Sequence, residues 1–166
     1  MLKSAARGSA ARFVLAGFFE LIEEAYLVRY SRFVEKSGGV IKQLLAECTT
    51  KEEFFNGLSK VTELTQDPAR KANRYERARI LGMAEKNDKF RKALGIVQQE
   101  LTDLFTEQFT EVQNRGWFNK DFDPRAAAVL IQAYTLGKIV DDVVENPMNA
   151  ISWNDLIGLI VGRTLS

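Results

Sequence analysis

Apolar residues recur along this chain at spacings of three and four almost throughout, which is the spacing of one helix face. Phe19, Ile22, Tyr26, Tyr30 and Phe33 make such a face over residues 18–36. Ser37-Gly38-Gly39 interrupts the pattern as a break or a kink, and 40–48 resumes it. Thr50 with Glu53 reads as a capping box ahead of Phe54, Leu58, Val61 and Leu64. Asp67-Pro68 opens a further helix to about residue 86, with Asp as cap and Pro at the first helical position. Asn87-Asp88 starts the longest expected element, which carries an apolar stripe to about residue 115, where Gly116 ends it. After the aromatic connector 117–122, Asp123-Pro124 opens a helix over 124–145 that is apolar on nearly every side. Pro147 closes the next turn, and Ser152 with Asp155 is the expected cap of a last apolar helix. No strand pattern, hairpin turn or Gly-rich phosphate loop is found. The predicted fold class is all-α, a bundle of about six or seven helices.

Composition narrows the chemistry. The chain has 166 residues, 46% hydrophobic and 27% charged, with a net charge of +1 and no His. A balanced charge draws it to neither nucleic acid nor acidic lipid as a whole. Without His there is no Ser-His or Cys-His nucleophile pair and no Glu-x-x-His metal motif, so an enzyme, a cofactor and a metal site are not expected. The single Cys48 cannot pair within the chain and reads as a structural thiol near Lys51 rather than an activated one. The carboxylate pairs Glu23-Glu24 and Asp141-Asp142 point about 100° apart on a helix and do not converge. No apolar run is long enough to span a membrane, and no export signal is read, so a cytoplasmic location is expected.

One stretch is more specific. The segment Asn114-Arg-Gly-Trp-Phe118, followed by Asp121-Phe-Asp-Pro124 and the run Gln132-Ala-Tyr-Thr-Leu-Gly137, resembles the TetR (tetracycline-repressor) family of bacterial transcriptional regulators. Upstream, residues 18–30 resemble the helix that leaves the DNA-binding head in that family. The resemblance implies a three-helix head with a helix-turn-helix, then a helical domain that binds a small effector and dimerises through its last two helices as a four-helix bundle. It divides this chain into 1–17, a remnant, truncated or degenerate head, and 18–166, the effector-binding and dimerisation domain. Ahead of residue 18 there is room for one helix, not three. Ala6-Arg-Gly-Ser9 resembles the start of a recognition helix, which makes Arg7, Ser9 and Arg12 the candidate DNA contacts.

The expected dimer face is Val129, Ala133, Leu136, Gly137 and Val140 on the penultimate helix, with Trp153, Leu156, Ile157 and Ile160 on the last. Ala133 and Gly137, four apart, allow a second helix close approach. The candidate effector site, for a small and largely apolar ligand, is Tyr26, Tyr30, Phe54, Tyr75, Met83, Phe90, Val97 and Phe105, with Arg77, Gln98 and Gln132 as polar anchors. The basic segment 69–79 is expected to be a solvated face rather than a phosphate-binding one. The expected partners are thus a second copy and a small effector, with DNA only if the head is completed. The competing expectation is a stand-alone helical dimerisation protein that reads no DNA.

Overall fold

A computed structural model describes the backbone of residues 2–165 and the side chains of residues 17–163 other than Phe19. Arg7, Ser9 and Arg12 fall outside the residues whose side chains are described. The fold is all-helical: α1 (Leu2–Glu47), α2 (Lys51–Gln66), a one-turn 3-10 helix (Pro68–Arg70), α3 (Lys71–Met83), α4 (Asp88–Asn114), α5 (Pro124–Gly137), the single turn α6 (Ile139–Asp142) and α7 (Ala150–Leu165).

Most of these boundaries follow from local chemistry. Thr50 accepts from the Glu53 backbone N–H while the Glu53 carboxylate accepts from the Thr50 N–H, closing the capping box. Asn87 and Asp123 cap α4 and α5 with their side-chain oxygens. Gly116, at φ +74°, terminates α4 in a conformation that side chains resist.

Three boundaries differ from the sequence pattern. Helix α1 runs unbroken through Ser37-Gly38-Gly39. Gly38 lies against Leu104 so closely that a Cβ there would overlap that side chain, and its carbonyl accepts from Gln108 Nε2 at 3.1 Å. This glycine serves a helix–helix approach, not a break. The helix expected over 124–145 stops at Gly137, because Lys138 turns inward to Asp141 and Asp142 and only one turn follows. Helix α7 begins before Ser152: Asn149 Oδ1 accepts from the Ile151 N–H at 2.8 Å and supplies the start.

Helices α1 and α5 both pack along α4, α7 packs on α2, and α3 crosses against α1, α4, α5 and α6. Tyr30, Val34, Ile41 and Leu45 of α1 meet Leu94, Leu101, Phe105, Phe109 and Val112 of α4 in the core. Phe54, Phe109, Trp117 and Phe118 form an aromatic cluster at one end, with the Phe54 and Phe118 centroids 5.8 Å apart. No helix among the described residues is long and apolar enough to cross a membrane.

Candidate functional site

The concavity of interest is a partly open cavity of about 280 Å³ between α1, α2, α3, α4 and α5. Its floor and walls are the faces that the helical spacing puts inward: Phe33 and Ile41 from α1, Leu58 and Val61 from α2, Leu101, Phe105 and Phe109 from α4, and Ile131 and Tyr134 from α5. Its mouth is rimmed by the exposed residues Lys36, Val40, Leu64, Arg70 and Asn73. Larger grooves between α2 and α7, of about 700 and 470 Å³, mix exposed polar residues such as Glu52, Asn56 and Ser59 with Phe55, Leu58 and Val161 in the larger and Leu159 in the smaller. Both are more open to solvent and less apolar than the 280 Å³ cavity, which suits a small organic ligand better.

Three residues of the expected effector set, Arg77, Phe105 and Gln132, line this cavity. Tyr30 and Gln98 stand behind them in a polar chain. The Tyr30 hydroxyl donates to Gln98 Oε1 at 2.5 Å, Gln98 Nε2 donates to Gln132 Oε1, and Gln132 Nε2 donates to Thr102 Oγ1 at 3.2 Å. This chain joins α1, α4 and α5 beside the cavity. The other expected members go elsewhere. Phe54 belongs to the aromatic cluster, Phe90 is core, Tyr26 lies under Arg79, Tyr75 is exposed beside Lys71, and Met83 and Val97 are half-buried away from the lining. Phe33, Ile41, Leu58, Leu101, Phe109, Ile131 and Tyr134 line the cavity without having been expected to. Their stripes are visible in the sequence, but helical spacing does not say which part of a stripe meets its neighbour and which part borders a void.

The basic segment 69–79 departs most from expectation. Arg70, Lys71 and Arg79 are solvated, but Arg74 and Arg77 are buried. Arg74 Nη2 donates to Asp142 Oδ1 at 2.8 Å, Nε donates to Oδ2, and Nη1 donates to the carbonyls of Thr65 and Asp67 at 3.2 Å. That hydrogen bond from Arg74 holds the Asp142 carboxyl below the ordinary aspartate range, against the opposing effect of its burial. Arg77 has no such partner. Its guanidinium stacks over Phe33 with 4.0 Å to the ring centroid, and its Nε meets no acceptor. Burial pulls the Arg77 pKa down, and the neighbouring Tyr30 hydroxyl opposes that pull. Tyr30 and Tyr134, both walled in by the bundle, are pushed up chiefly by desolvation.

Comparison with family models, with curated proteins and with solved structures finds no match to this chain.

Other candidates for chemistry are quiet. Cys48 is buried, and desolvation reinforced by Glu53 and Glu47 raises its thiol above the ordinary value, the reverse of an activated nucleophile. No group of His, Cys, Asp or Glu among the described residues is placed to hold a metal ion. Asp141 and Asp142 diverge, Asp141 accepting from the Met148 N–H at 3.1 Å and Asp142 facing Arg74.

The C-terminal segment carries a second feature. Among the described residues, ten large apolar side chains from Val129 to Ile160 are exposed, including Leu130, Val143, Val144, Met148, Ile151 and Leu159. Of the expected dimer face, Val129, Ala133, Gly137, Val140, Leu156 and Ile160 are exposed, with Val140 at 73%, while Leu136 and Trp153 are half-buried. Ile157 is different. It is 5% exposed and belongs to the core of its own chain.

Proposed function

We propose that this chain is the ligand-binding and dimerising body of a transcriptional regulator similar to the TetR family. The observation that carries the proposal is the open-mouthed, largely apolar cavity walled by Phe33, Ser37 and Ile41 of α1. That helix is one unbroken rod of 46 residues, roughly 70 Å at 1.5 Å per residue, which includes Arg7, Ser9 and Arg12. A small molecule lodged against the C-terminal third of such a rod changes its tilt, and the change is magnified at the distant N-terminal end. The ligand acts only in so far as it binds one tilt better than the other. The apolar side chains exposed from Val129 onward, on α5, the segment after it and α7, support a symmetric dimer, because apolar surface left in solvent favours association. The motif run from Asn114 to Gly137 supports the family resemblance.

The test is a gel shift with the DNA flanking the gene that encodes the chain. Specific binding that weakens steeply with salt is expected. Replacing Arg7 and Arg12 by Ala then lowers the affinity and flattens the dependence of log K on log salt by about 0.9 for each phosphate that is no longer neutralised. No shift even at low salt overturns DNA reading by this chain itself and favours a helical dimerisation protein that reads no DNA.

A further inference from the structure

Arg77 differs from the other buried cations among the described residues in lacking a counter-ion. Arg74 is paired with Asp142, and Lys138 lies between Asp141 and Asp142. Arg77 is only 7% exposed, no described carboxylate forms an ion pair with it, and its Nε is buried without an acceptor. Arginine stays protonated in proteins, so this is a desolvated positive charge relieved only by the Phe33 ring and the Tyr30 hydroxyl. Such a charge is costly to the free molecule and is retained where something negative comes to meet it.

The cavity around it has the same sign. Its lining includes four cations, Lys36, Arg70, Arg74 and Arg77, and no Asp or Glu. Asp142 neutralises Arg74, while Lys36 and Arg70 stand exposed at the mouth. A cationic mouth leading to one unpaired guanidinium between low-dielectric walls draws anions inward. The depth of the cavity, with Phe33, Ile41, Leu101, Phe105 and Ile131, is hydrocarbon and suits an apolar body. The buried guanidinium left without a counter-ion offers a planar fork of donors that matches one carboxylate. A volume of about 280 Å³ sits at the small end of ligand sites, so the body is short.

We propose that Arg77 anchors the carboxylate of an amphipathic monocarboxylic acid whose short alkyl or aryl body fills the cavity. The proposal rests on the cavity being the effector site. The bound acid ties α3 to the C-terminal third of α1, since its head pairs with Arg77 while its body bears on Phe33 and Ile41.

Calorimetric titration of the full chain with octanoate, 1-octanol and octylamine, on the parent and on Arg77→Met and Arg77→Lys, tests it. Octanoate is expected to bind the parent at least about tenfold more tightly than octanol, a charge-assisted pair being worth that much, and octylamine not to bind. Arg77→Met removes the preference for octanoate and leaves octanol binding in place. In the absence of ligand it melts at or above the parent, because a buried unpaired charge is gone; a residue held only for stability would melt lower. Should Arg77→Met fold poorly, Arg77→Lys keeps the charge without the fork, and octanoate binding weakens several-fold while its preference over octanol persists. Equal binding of octanoate and octanol to the parent, unchanged by Arg77→Met, overturns the anchor and leaves the cavity as an apolar site. Binding of neither overturns the cavity as an effector site, and the anchor with it.

Discussion

Arg74 and Asp142 meet inside the protein with both carboxylate oxygens occupied, and the spare guanidinium nitrogen is spent on two backbone carbonyls. Removing one partner of such a pair leaves the other charge buried and unanswered. Asp142→Ala is therefore expected to cost about 3–5 kcal/mol in urea unfolding, whereas Arg74→Met with Asp142→Leu recovers most of that loss. The pH dependence has a definite sign. Because the folded Asp142 pKa is depressed, its contribution is complete above the unfolded value of about 3.9 and disappears as the pH falls through the folded value. The stability gap between the parent and Asp142→Asn should thus be constant near neutrality and narrow below about pH 4. None of this was legible in the sequence, where a run of arginines among exposed residues reads as a solvated surface. Burial of Arg74 depends on α6 arriving from 68 residues further along the chain.

Helix boundaries are the level at which sequence and structure agree best. The Thr50 box, the Asn87 and Asp123 caps and the left-handed Gly116 are local arrangements complete within a few residues, so the sequence contains all that decides them. Gly38-Gly39 was opaque because its meaning is tertiary. Two adjacent glycines weaken an isolated helix, yet here one of them admits Leu104 and the other faces open space. That contrast gives a paired test. Gly39→Ala should gain about 0.5–1 kcal/mol from helix propensity alone. Gly38→Ala must displace Leu104 and should gain less than Gly39→Ala or lose stability, both read from the urea midpoint at unchanged slope. The start of α7 was misplaced for a related reason. Asn149 and Ser152 are both good caps, and the loop held by the Met148 N–H on Asp141 brings Asn149 into position first.

For the whole molecule, the helical stripes establish an all-helical bundle and the C-terminal segment as its most apolar part. They do not establish which apolar residues remain outside. Ile157 and Leu156 are neighbours of the same type, yet one is core and the other is exposed, a difference decided by the packing of α7 on α2. The cavity was similarly half-legible: Arg77, Phe105 and Gln132 reach it, while its remaining walls come from stripes indistinguishable from core. The account as a whole depends on the exposed side chains from Val129 to Ile160 being a seam between two copies. The most direct measurement is the solution mass by light scattering, for the parent and for Val140→Glu combined with Leu156→Glu. The account predicts twice the 18.8 kDa chain mass for the parent and a folded single chain of unchanged helicity for the variant. A parent that runs as a single chain across the micromolar range would contradict it.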